Sequence, residues 1–156
     1  MKKQLLGALL CSGIGLSCLS GCVPGTTTDN AAMQSALPMS QPDSEAQLNT
    51  VCTKAIMTSE SVKEIIVTYN QIKDKDLAIE ELNTSIKNLE SVESILYGFR
   101  PAEVLEQKRD DIGNIITEMK AVIRDMQYMI EDEEELSILL QQYNSYIQQL
   151  KQIQHR

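Results

Sequence analysis

The chain has 156 residues, with 14 Lys and Arg against 22 Asp and Glu, one histidine, one phenylalanine and no tryptophan. A formal charge of −8 opposes nonspecific attachment to nucleic acid or to anionic lipid headgroups. A lone histidine, His155, and so few aromatic rings leave little for His-based catalysis or an aromatic ligand pocket.

Lys2-Lys3 are followed by an uncharged stretch, Leu5 to Leu19, that Gly7, Ser12, Gly13, Gly15 and Ser17 dilute. A spanning helix needs ~20 predominantly apolar residues, and this run gives way to Cys22-Val23-Pro24-Gly25. A basic start, an apolar middle and small residues before a cut read as a secretory signal over residues 1–21. The alternative is an uncleaved membrane helix carrying a chance cysteine. Leu19-Ser20-Gly21-Cys22 resembles the lipobox of bacterial lipoproteins, in which signal peptidase II cuts before a cysteine that already carries a diacylglycerol. The resemblance implies that Cys22 is the lipidated first residue of the mature chain, held by acyl chains such as palmitate; two or more chains anchor stably where one does not. Val23 stands where aspartate retains many lipoproteins in the inner membrane of enteric bacteria. The resemblance therefore implies the outer membrane in a Gram-negative host, with the periplasmic face favoured over the cell surface.

Loss of the signal removes Lys2 and Lys3 and no acids, so 135 residues remain with 12 bases against 22 acids, net −10. That length holds one domain of ordinary size. The acyl chains, not a basic patch, must then hold the body to the membrane, and the exposed face favours a basic partner over an acidic one. Cys11 and Cys18 leave with the signal, which makes Cys52 the sole free thiol. An odd cysteine in an exported chain suggests an intermolecular disulfide or an unpaired residue; beside Val51, a small packing residue is the preferred reading.

Residues 22–43 read as the lipidated cysteine and a flexible, disordered tether, because Pro24, Gly25, Thr26-Thr27-Thr28, Asn30, Pro38 and Pro42 cannot bury enough apolar surface to order themselves. Extended, ~20 such residues span at most about 70 Å.

The helical domain, 44–156, opens on Ser44-Glu45-Ala46-Gln47, which has the form of a capping box. Leu48, Val51, Ala55, Val62, Ile65, Tyr69 and Ile72 then recur in steps of three and four, predicting a helix over 44–72. The register shifts at Lys73-Asp74-Lys75-Asp76. Either Asp74 or Asp76 caps a new helix after a tight turn, or one helix continues through a stammer; the disagreement between the two faces favours the turn. The second helix, 75–97, carries Ile79, Leu82, Ile86, Leu89 and Leu96, with Glu93 interrupting. Gly98 is expected in the left-handed conformation that ends a helix, Phe99 folded back on the preceding turn, and Pro101 in the first turn of the next helix.

The third helix is predicted to run unbroken over 101–154. Its a and d positions, in one register from Leu105 to Leu150, are apolar or tyrosine except at Lys108 and Glu133, a coiled-coil-like seam. An added stripe lies on one side early (Ile116, Ile123, Ile130) and on the other late (Leu139, Tyr146, Ile153). Such a helix touches two neighbours and changes the second near 131–135. Gly113 lies off the seam at a cost of about 1 kcal/mol.

Glu131-Asp132-Glu133-Glu134-Glu135 is the densest charge run. On a helix these carboxylates point around the axis and cannot converge on one calcium ion, so a solvated kink is the preferred reading. Glu133 falls in the seam itself, where it needs a partner such as a lysine across the bundle or else a wet, locally open seam. Glu133 and Cys52 are the residues here that could fix a register or meet a partner. No phosphate-binding loop, Cys/His metal spacing or nucleophile elbow occurs. The expectation is an all-α, antiparallel coiled-coil-like bundle or hairpin of long helices without catalysis, metal or cofactor. It would bind a helical envelope protein or itself and no nucleic acid, as an accessory subunit of a secretion or transfer apparatus. The alternative function is a surface-displayed adhesin or exclusion factor.

Overall fold

The computed structural model describes residues 38–156, and the signal, Cys22 and most of the tether lie outside them. Four helices follow in order: α1 Gln41–Ile72, α2 Lys75–Tyr97, α3 Glu106–Glu131 and α4 Ser137–Gln154, with a single 3₁₀ turn, Glu103–Leu105, before α3. The fold is all-α, a four-helix bundle. Gln127 of α3 bonds Ile79 O and Asn83 of α2 while Lys120 reaches Glu93, so these two helices run antiparallel. Lys151 and Gln154 of α4 reach back to Glu60 and Thr53 of α1, which closes the ring in an up-down-up-down arrangement. No helix of the described residues is long and apolar enough to cross a membrane.

The first helix begins one turn earlier than the sequence suggests. Ser40 is its N-cap: the Asp43 N–H donates to Ser40 Oγ at 3.4 Å, and Ser40 Oγ donates to Asp43 Oδ2 at 2.5 Å. Pro42 falls in the first turn, where the N–H it lacks has no helical partner in any case. Gln41–Asp43 are thus helix rather than tether. Ser44, expected to cap, is buried inside the helix, where its hydroxyl donates to Ser40 O at 2.8 Å and accepts from Ala102 N–H at 2.9 Å. A second clasp, Met39 N–H to Arg100 O at 3.0 Å, fixes the entry of the chain to the α2–α3 connection.

The turn after Ile72 is real: Lys73 is left-handed (φ 55°), its N–H bonds Tyr69 O, and Asp74 caps α2 by accepting from Leu77 N–H at 3.1 Å. Gly98 differs from expectation. Its φ is −76° and its N–H bonds Ile95 O, so α2 ends in a tight right-handed turn without a left-handed residue, and Pro101 lies in the connection, not in a first helical turn, since α3 starts at Glu106.

The largest departure is in the third helix, which is two. α3 stops at Glu131 and α4 starts at Ser137 after a reversal, so the preferred solvated kink is a chain reversal instead. The seam on either side is as the sequence predicts. Ile112, Ile115, Met119, Val122 and Met126 of α3 and Tyr143, Ile147 and Leu150 of α4 are buried, as are Ile116, Ile123 and Ile130 of the added stripe. Each such residue contributes roughly 1.5–3 kcal/mol relative to exposure. Gly113 has a use that spacing did not show: a Cβ there would stand 2.0 Å from Tyr97 Oη, so its absence makes room for that ring.

Candidate functional site

Two reversals, α1–α2 and α3–α4, meet at the end of the bundle opposite Met39 and Arg100. The second is a complete Schellman motif: Glu133 N–H bonds Ile130 O at 3.3 Å and Glu134 N–H bonds Met129 O at 2.8 Å, with Glu133 at the left-handed position (φ 60°). Glycine usually fills that position. Glu133 is therefore not a seam residue; it is exposed on a turn. It pairs with Lys75 of the other reversal at 2.7 Å, while Lys75 Nζ also donates to Glu131 O at 3.2 Å. The pairing holds the Glu133 carboxyl below its ordinary pKa and lifts the Lys75 ammonium, chiefly through their mutual hydrogen bond. Both groups are exposed, so salt screens the pair.

Charge concentrates at this end. Residues 65–81 and 124–140 carry ten acids against three bases, whereas the rest of the described chain carries eleven against nine. The two segments thus hold −7 of the −9 total. Between α1 and α4 here lies an open groove of about 460 Å³. Glu133, Glu134 and Glu135 line it together with one base, Lys73, and with Asn70 and Ser137, while Ile66 and Leu136 at its base are already buried in the core. Ile138, in the first turn of α4, leaves 76% of its surface open to water. Among the described residues no group of three or more His, Cys, Asp or Glu is placed to hold a metal ion.

Cys52 sits elsewhere, buried in the first half of α1, and the fold does not bring it near Glu133. Burial pushes its thiol up to about 11, with Lys108 opposing. Lys108, an interruption of the predicted seam, reaches Asn49 Oδ1 at 3.3 Å. Glu93, the interruption in α2, is answered by a residue the seam did not mark: Lys120, itself buried, donates to Glu93 Oε2 at 2.5 Å while Thr117 donates to Oε1 at 3.1 Å. The signal for Lys120 was present, since a carboxylate on an apolar face requires a cation across from it.

No protein-family model, curated protein or solved structure matches this chain.

Proposed function

We propose that the chain is a membrane-anchored bacterial lipoprotein and a non-catalytic interaction component of the cell envelope, an accessory subunit of a secretion or transfer apparatus. The observation that carries this is Leu19-Ser20-Gly21-Cys22 placed directly after an uncharged apolar stretch. The bundle supports the reading through its polarity. The described chain enters at the α2–α3 end, where Met39 bonds Arg100, and the acidic end is the opposite one. With 32 residues, α1 carries the acidic end about 48 Å from its first turn. The 16 residues from Cys22 to Leu37 add at most roughly 55 Å when extended.

The test is metabolic labelling with a palmitate analogue, followed by membrane fractionation. Labelled wild type and an unlabelled Cys22→Ala variant that leaves its membrane fraction are expected; equal labelling of the two would refute the anchor. Protease added to intact cells then places the body. Protection supports a periplasmic role, and shaving supports display at the surface.

A further inference from the structure

We propose that the α3–α4 reversal is a hinge through which two copies of this chain exchange α4, each receiving the other's fourth helix in the groove its own has left. The inference goes beyond the envelope role and does not depend on the lipid anchor. Glu131 to Leu136 contain no glycine or proline, and four of these six residues are glutamate, a good helix former. No side chain caps α4, and Glu133 holds the left-handed position (φ 60°) that glycine fills without strain. Asp132 N–H still bonds Tyr128 O at 3.0 Å and Leu140 N–H bonds Leu136 O at 2.9 Å, so helical bonding lapses only between them. The heptad register passes through as well: Met126, Met129, Glu133, Leu136 and Leu140 share one seam if the helix runs straight on.

The other two reversals are committed. Asp74 caps α2 by accepting from Leu77 N–H, and the seams on either side of it are out of step. The α2–α3 connection holds Pro101 and is clasped to α1 through Ala102 and Arg100. Straightening the α3–α4 hinge carries Tyr143, Ile147 and Leu150, all buried in the closed chain, away from their own bundle. The groove cut to fit them is that of a second copy. Lys151 to Glu60 at 3.2 Å and Gln154 to Thr53 at 2.7 Å are then remade between copies, so the two forms differ at the hinge and in association, the condition under which exchange is cheap. Charge opposes the exchange. It brings two acidic ends together, and on a straight helix Glu131 repels Glu134 and Glu135 at spacings of three and four. Salt screens both terms, so the closed monomer prevails at low salt and the exchanged dimer gains as salt rises.

The experiment uses the full chain in detergent. Unlabelled and heavy-nitrogen-labelled protein are mixed equally, unfolded together in urea and refolded at high protein concentration in about 1 M salt. A carbodiimide then joins contacting lysines and carboxylates, and mass spectrometry reads the products. Lys151–Glu60 crosslinks that pair a light with a heavy peptide are expected, and fewer of them at low salt; two closed chains that merely share a micelle give pairs of one label. Glu133→Gly relieves the left-handed position and weakens the straight helix, so it is expected to lower the dimer association constant by about tenfold per protomer and about a hundredfold in all. Glu133→Leu completes the seam of the straight helix and is expected to raise it by about tenfold. Same-label crosslinks alone in the wild type at about 1 M salt would overturn the proposal, as would a Glu133→Gly chain that exchanges like wild type. Failure of the anchor shows instead as absent acylation, which this experiment does not read.

Discussion

Tyr143 is fully enclosed on the inner face of α4, and among the described residues its hydroxyl has no partner within hydrogen-bond distance. Ser59 stands opposite on α1, its proton given to Ala55 O at 2.6 Å, and its oxygen partly opposes the lift of this phenol without lying within hydrogen-bond distance. A buried hydroxyl without a partner costs about 1–3 kcal/mol of desolvation, so Tyr143→Phe is expected to raise stability by about 1 kcal/mol in urea melts, and a loss would show that the hydroxyl is satisfied. Burial also lifts this phenol to about 12 and the Cys52 thiol to about 11. A folded pKa raised above the unfolded one gives stability that is whole below the unfolded value, here near 9 for the thiol, and is lost as pH rises toward the folded value. Stability should therefore fall between pH 9 and 11 by up to about 1.4 kcal/mol per pH unit for each proton. Cys52→Ala should flatten that slope in thermal melts taken from about pH 8 to 11; an unchanged slope would assign it to other groups.

At the scale of elements, the helices meet in one alignment because a few polar groups punish any other. Lys120 and Glu93 join α3 to α2 in a part-buried pair, supported by Thr117. Lys120→Ala strands the carboxylate of Glu93 and should cost about 1–3 kcal/mol in denaturant melts. Replacing both residues with leucine should cost less than the single change, since apolar packing substitutes well for a buried pair; a double variant weaker than the single would contradict this account. The end of α3 makes a separate prediction. Glu133 occupies a left-handed position that costs a side chain roughly 1–2 kcal/mol. Glu133→Gly should raise the melting temperature by a few degrees despite losing the exposed pair with Lys75. These elements also mark how far the sequence was legible. The seams were, because burial repeats every three or four residues through Leu48–Tyr69, Ile112–Ile130 and Tyr143–Leu150. The break at 132–136 was not: no glycine or proline marks it, and the connection happens to keep Met129 and Leu136 in phase, so one heptad register passes through a reversal. The cap at Ser40 was hidden for a related reason. Ser44 repeats the same signal one helical turn later, and only its tertiary bond to Ala102 shows that it is interior. As for the groove, its carboxylates were visible as composition, but Asn70 and Lys73 join them only because α1 and α4 pack side by side.

Across the whole molecule, charge is segregated along the axis rather than spread over it. Near Met39 and Arg100, acids and bases almost balance, whereas the opposite end carries −7. Lys73 leans over the Tyr69 ring at 4.9 Å and Lys75 is engaged by Glu133, which leaves Asp132, Glu134 and Glu135 without a cation in the set of ion pairs among the described residues. These carboxylates repel one another in the folded chain more than in an expanded one, so the native state bears a cost that counterions relieve. The Debye length falls from about 30 Å at 0.01 M salt to about 3 Å at 1 M, wider than the reversal at one limit and narrower at the other. Asp132→Asn with Glu134→Gln and Glu135→Gln should therefore raise the melting temperature at about 10 mM salt, and the gain should vanish near about 1 M. The same number of acids removed at the balanced end, Asp110→Asn with Asp111→Asn and Glu106→Gln, should give a smaller gain, because bases such as Arg109, which pairs with Asp110 at 2.9 Å, lose their partners. Equal gains from both sets would mean that total charge governs stability and its placement does not. A larger gain at the reversal shows instead that the fold tolerates a standing repulsion there.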